Sequence, residues 1–239
     1  MIKNKSKPQK LHAGQLRQLQ KFVLLACGLL LVKTFLAILW VYRFYFPADF
    51  DSAFLSGRRY TFTFSYQVVF YTHIISAPIA LAIGAILLAI GSRSRASSLH
   101  RVLGRIQIPL VLLLVAPSGF VMATQAYAGL IAAVGFALHA GATVIFAGLT
   151  MSTAIRGNLQ SHRRWAMRCF LMLAAPLLFR IVAGAVSTAG LESEAFYQWN
   201  AWFSWMAPLT VFESGRLLAA RTPLDEKTEL NPHSLRAST

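Results

Sequence analysis

Two cysteines in 239 residues, Cys27 and Cys169, both inside apolar runs, exclude a disulfide-stapled scaffold. Charge is also scarce. Asp, Glu, Lys and Arg make up 13% of the chain, about half the roughly 25% of a soluble globular domain. No Ser/His/Asp or Cys/His constellation, phosphate loop or carboxylate pair at hydrolase spacing occurs, which disfavours a soluble-type hydrolase. What the chain has instead is apolar surface: 56% hydrophobic residues and a mean hydropathy of +0.55. That composition excludes disorder and points to the bilayer as the solvent.

The apolar residues fall into six runs, about 22–45, 64–90, 106–127, 129–155, 166–189 and 196–215. Each comes close to the roughly 20 residues that cross a hydrocarbon core of about 30 Å. The sequence therefore predicts an all-α integral membrane protein with six transmembrane helices. A basic tail at 1–21 precedes a helical domain over 22–221, and a second tail spans 222–239. The first run is too long for a signal-peptide core. Bulky Tyr42-Arg43-Phe44-Tyr45-Phe46 follows it rather than a small-residue cleavage site, so it reads as a retained helix. Pro78, Pro109, Pro117, Pro176 and Pro208 inside the runs read as kinks, which membrane helices tolerate when neighbours re-satisfy the freed carbonyls.

The basic residues predict an orientation. Lys3, Lys5, Lys7, Lys10, Arg17 and Lys21 precede the first run. Arg93, Arg95, Arg101 and Arg105 lie between the second and third, and Arg156, Arg163, Arg164 and Arg168 between the fourth and fifth. Arg216, Arg221, Lys227 and Arg236 follow the sixth, and only Arg43, Arg58 and Arg59 lie on the opposite side. Basic loops stay cytoplasmic, so both termini are placed inside, in a bacterial inner membrane. The net charge of +15 is then a topology signal and a contact with anionic lipids at the cytoplasmic face, not a nucleic-acid interface.

Four histidines lie outside the tails. His73 and His139 each fall nine or ten residues into an inward-running span, roughly 14 Å below the outer face. His100 and His162 sit just before the next helix, in matching contexts: His100-Arg101-Val102-Leu103-Gly104-Arg105 and His162-Arg163-Arg164-Trp165-Ala166-Met167-Arg168. The chain thus reads as a duplicated helix pair forming a central four-helix bundle, a known way to build membrane proteins. A two-fold arrangement would set His73 opposite His139 at one depth and His100 opposite His162 at another. Facing imidazoles on separate helices are what a six-coordinate haem iron needs. The competing reading is that intramembrane histidines are hydrogen-bonded packing residues, and that the interfacial pair contacts lipid phosphate.

Other ionisable groups fall inside the runs. Arg180 needs an anionic or carbonyl partner, for which a haem propionate, Glu192, Glu194 or helix carbonyls are candidates. Lys33 lies near the middle of the first run, neutral or snorkelling. Glu213 near the end of the sixth can pair with Arg216 or with an arginine of the inner loops. The small-residue stripe Ser76, Ala80 and Gly84 and the glycine Gly135 leave room for a flat ring or let helices approach.

The order of these motifs, His73, His100-Arg101-x-x-Gly104-Arg105, His162-Arg163-Arg164-Trp165-x-Met167-Arg168, Arg180, Ala201-Trp202-Phe203-Ser204-Trp205 and Glu213, resembles a bacterial family of membrane proteins, the domain of unknown function numbered 2306, over roughly residues 65–215. The chain departs from that pattern at Ala207-Pro208, where a Pro-Asn is expected. The family name implies no activity. The layout is also similar to the six-helix di-haem cytochromes of the b type, whose likeness implies transmembrane electron transfer. The expectation is therefore a haem b electron carrier with one or two haems on His73, His139, His100 and His162 and with Arg180 at a propionate. The rival readings are a small permease or lipid- and small-molecule-binding protein with His73, His139, Arg180 and Lys33 in a polar cavity, and an accessory subunit. The redox partner or solute is not specified by the sequence.

Overall fold

The computed structural model describes residues 7–52, 54–91 and 98–230, with side chains from residue 14 to residue 220. Arg93 and Arg95, counted above for orientation, lie outside the described residues, as do residues 231–239. Among the described residues the structure is helical, with no strand. Seven α-helices follow in order: α1 (Lys7–Val41), α2 (Phe64–Gly91), α3 (Ser98–Pro109), α4 (Ala116–Ala123), α5 (Gly129–Ile155), α6 (Leu159–Thr188) and α7 (Glu194–Leu230). A π-helical segment, Leu110–Val115, joins α3 to α4 without a break. Pro109 and Pro117 flank it; each lacks an amide, which loosens the ladder on both sides of an apolar stretch.

The chain divides into two compact units, residues 1–62 and 63–239. In the first, α1 runs into a 3₁₀ turn at Tyr42–Phe44 and a loop knitted by aromatic rings. Tyr45 meets Phe54 at 6.2 Å, and Phe50 meets Phe62 at 5.6 Å. Helix α1 starts at Lys7, so it extends through most of the expected basic tail.

In the second unit α2, the α3–π–α4 helix, α5 and α6 form the four-helix core expected from the repeat. α2 packs on α3, the π segment, α4 and α6, while α5 packs on α4 and α6. α7 lies against α5 and α6. A dry layer of Ala80, Val111, Val115, Ala147, Cys169 and Leu173 fills the middle. Gly84 on α2 admits its neighbours: an added Cβ would stand 3.2 Å from Phe170 and 3.5 Å from the Gln107 amide. The small-residue stripe is therefore a packing seam, filled by side chains of α3 and α6.

Among the described residues five helical stretches are long and apolar enough to cross a membrane: Gly14–Phe44, Phe64–Gly91, Ser98–Ala123, Gly129–Ile155 and Leu159–Thr188. The sixth expected span, 196–215, is helical within α7 but does not join this set. Gln198, Asn200, Ser204 and Glu213 dilute its apolar character. The protein is thus multi-pass, with five spans carried by length and composition.

Candidate functional site: two levels of histidine in a helical bundle

His100 and His162 come together. They are the third residue of α3 and the fourth of α6, so both stand inside a helix rather than before it. The apolar run marks where lipid begins, and a helix can start a turn or two earlier in the interface. Asn158 makes that start for α6, accepting from the Ser161 amide at 3.0 Å as an N-cap. The two ring centres are 6.3 Å apart at an interplanar angle of 78°. The Nδ1–H of His162 donates to the Thr150 carbonyl at 3.0 Å. His100 lies beside the Leu87 carbonyl and against Gly91, whose missing Cβ leaves space 3.5 Å from its Cε1.

His73 is tied to the helix it faces. Its Nδ1 stands 3.2 Å from the Val115 carbonyl and 3.0 Å from the Ser118 hydroxyl. Ser118 in turn donates to the carbonyls of Leu114 and Val115. A Cβ on Gly119 would lie 3.1 Å from the imidazole, so glycine is what lets the ring lie flat against α4. The π segment ends at Val115, so His73 binds where the helical ladder changes register.

His139 is used differently. Its Nε2–H donates to the Met172 carbonyl at 2.9 Å. That oxygen has no amide partner one turn on, because the residue there is Pro176. The ring also lies 6.2 Å from Trp205 of α7, and Trp205 stacks at the same distance on Trp202. Gly135 makes room for this: an added Cβ would stand 2.9 Å from Trp202 Nε1.

The two inner histidines are not level. From His73 along α2 to Leu87 and Gly91, which flank His100, is 14 to 18 residues, or about 21–27 Å. From His139 along α5 to Thr150, which holds His162, is 11 residues, or about 16 Å. His73 therefore stands about 5–10 Å farther from the lower pair. Equal distances from the outer face did not give equal depth, because the two copies of the repeat differ in the length below the histidine. His73 lies about three turns before Gly84 on α2 and Arg180 about two turns after Leu173 on α6, and Gly84 faces Leu173, so both residues fall on the sides where the two helices meet.

The remaining candidates separate. Glu213 is clamped: Arg168 donates to both its oxygens, at 2.6 and 2.9 Å, and Arg216 donates at 3.0 Å. Arg168 also lies over the Trp165 ring at 4.2 Å. The clamp joins α6 to α7. Arg101, Arg105, Arg163 and Arg164 are exposed on the first turns of α3 and α6, around the lower pair. Lys33 is exposed on α1. Arg180 is exposed as well and makes no salt bridge among the described residues. No group of three or more His, Cys, Asp or Glu able to hold a metal ion occurs among the described residues.

Sequence reasoning missed a set of buried polar residues. Gln107 donates to the Ala80 carbonyl at 2.9 Å and Asn200 to the Phe179 carbonyl at 2.8 Å, both across helix interfaces. The amide oxygens of both, the Ser76 hydroxyl and the Trp205 indole nitrogen are buried without a hydrogen-bond partner among the described residues. A polar residue within an apolar run was the available signal.

These features define a multi-pass, all-helical membrane protein with a histidine pair at one end of its bundle and two offset histidines deeper in. The chain belongs to the family described as "Predicted membrane protein (DUF2306)", whose model matches residues 70–214. No curated protein and no solved structure matches it.

Proposed function

We propose that this protein is a membrane redox carrier that binds one b-type haem between His100 and His162. The observation that supports this is the pair itself. Two imidazoles on either side of one metal, with metal–nitrogen bonds of about 2.0–2.1 Å and a little over 1 Å from nitrogen to ring centre, place their centres about 6 Å apart. The observed separation is 6.3 Å. His162 has its Nδ1 fixed by a backbone carbonyl, which leaves Nε2 free to bind a metal, the orientation that a carbonyl bonded to the other ring nitrogen imposes on metal-bound histidines.

His73 and His139 fit the group less well. The Nε2 of His139 is engaged by Met172, and the two rings are offset along the bundle. The haem proposed is therefore the one at His100 and His162, and none is placed at His73 and His139. His100 and His162 would hold the iron, and Arg101, Arg105, Arg163 and Arg164 would balance the propionates at the basic end. Bound haem supplies a one-electron couple whose potential its axial ligands and surroundings set. The positive surround favours the reduced state and would draw anionic donors to that face. In this reading α7 is the sixth span, both termini are cytoplasmic and the basic end lies against anionic lipid.

The test is absorbance of the full-length protein purified after expression with added haem. A Soret band typical of bis-histidine ligation is expected. His100→Ala and His162→Ala should each lose it or change its ligation state, while His73→Ala and His139→Ala should keep it. No haem band, or equal loss in all four variants, rejects the reading.

A further inference from the structure

We propose that Arg180, with His73, forms an intramembrane site for an oxyanion, the acid group of a carboxylate or phosphate, at the α2–α6 interface. The inference does not rest on the haem reading, since it concerns the other level of the bundle. Arg180 is followed by Ile181-Val182-Ala183-Gly184-Ala185-Val186 and preceded by Ala174-Ala175-Pro176-Leu177-Leu178-Phe179. It is eight residues, or about 12 Å, short of the last residue of α6. A guanidinium with apolar neighbours on both sides requires a compensating group.

The protein does not supply an acidic one. Glu213 is held by Arg168 and Arg216. Glu192 and Glu194 lie beyond the end of α6, and neither makes a salt bridge to Arg180. Snorkelling to the nearer end is opposed by helix geometry, because side chains lean toward the helix N-terminus and α6 runs toward that end.

What surrounds Arg180 suits an anion. Gly84 on α2 faces Leu173 on α6, where an added Cβ would stand 3.7 Å from the leucine; His73 lies about three turns before Gly84 and Arg180 about two turns after Leu173, so both fall on the sides where α2 packs on α6. His73 is oriented by Val115 and Ser118 through Nδ1, which keeps Nε2 as its second polar atom. Nothing lies within 4 Å of a Cβ built on Gly184, one turn beyond Arg180, so the helix surface there is open. The planar fork of arginine matches a carboxylate or phosphate in a bidentate contact. The same chemistry can come from a lipid headgroup or from a small dissolved anion.

The experiment uses the full-length protein in a neutral detergent and reads apparent affinity from the shift in thermal unfolding. One arm titrates inorganic phosphate, and the other titrates dioleoyl phosphatidic acid against phosphatidylcholine. Wild type should bind one probe, and Arg180→Gln should weaken that binding about tenfold, the worth of a charge-assisted bidentate contact. Arg180→Lys should retain part of it. Arg156→Gln, an exposed residue just past α5, serves as the control for surface charge and should change it little. A response to phosphate alone identifies a dissolved anion, and a response to phosphatidic acid alone identifies a lipid; either supports the site. If wild type and Arg180→Gln respond equally to both probes, the site does not exist. Should Arg180→Gln fail to fold, undiminished affinity in Arg180→Lys overturns the proposal in the same way.

Discussion

His139 takes the place of the amide that Pro176 removes. The proline leaves the Met172 carbonyl without its helical donor, and the imidazole of the neighbouring helix donates to it at 2.9 Å. A kink and an intramembrane histidine, two features that look independent in the sequence, are thus one packing device between α5 and α6. The pair is a specific case of neighbours re-satisfying a proline-freed backbone group.

The device makes a quantitative prediction. His139→Leu should destabilise the protein by about 0.5–2 kcal/mol, the range for hydrogen bonds within membranes. In a Pro176→Ala background, where an amide is restored, the same change should cost less. A double-mutant cycle of unfolding in detergent measures the coupling. Additive effects would mean that the carbonyl is satisfied some other way.

Glycine substitutions should divide by their surroundings. Gly135→Ala drives a methyl to within 2.9–3.2 Å of the Trp202 ring and should cost about 1–3 kcal/mol of overpacking. It should also break the Trp202 indole bond to the Ile131 carbonyl, visible as a shift in tryptophan emission. Gly141→Ala and Gly148→Ala meet nothing within 4 Å and should be neutral or stabilising by up to about 1 kcal/mol. Equal effects at all three positions would contradict the packing at Gly135.

The Glu213 clamp should be uneven. Arg168 makes the bidentate contact and is nearly buried, with 12% of its side chain exposed, whereas Arg216 is 33% exposed and sits three residues from Glu213 on the same helix. Arg168→Gln is expected to lower thermal stability by about 1–3 kcal/mol. Arg216→Gln should change it by no more than about 0.5 kcal/mol, as for exposed pairs on one helix. The reverse order would show that Arg216 is the main partner.

Topology can be checked with a reporter active only outside the cytoplasm. Signal is expected after residues 50 and 192, and none after 95, 158 or 239, if α7 crosses and both termini are inside. Signal at residue 239 would leave five crossings, the number that length and composition support.

Much of the fold was legible because the bilayer imposes it. The run 129–155 matches α5 residue for residue, and 64–90 falls one residue short of α2. Helix ends at the interface were less legible: α3 and α6 start about seven residues before their apolar runs, since polar first turns such as Asn158-Leu159-Gln160-Ser161 need caps rather than lipid. At the site, matched motifs brought His100 and His162 to the same end. Depth counted from the outer face misplaced His73 relative to His139, because loop and helix lengths below each histidine trade against one another and periodicity carries no record of that. The roles of Gln107 and Asn200 depend on which carbonyl lies opposite on another helix, a relation that a single sequence does not contain.

α7 carries one more implication, for how the protein is made. Gln198 donates to the Ala128 carbonyl at 2.8 Å, Asn200 to Phe179 at 2.8 Å and Trp202 to Ile131 at 3.1 Å. Each acceptor belongs to α5, to the residue before it or to α6, all synthesised earlier. The last helix therefore gains its polar partners only from a bundle that is already standing. Docking of α7 onto α5 and α6 is then the step that pairs the polar side chains of Gln198, Asn200 and Trp202, which have no such partners on their own helix.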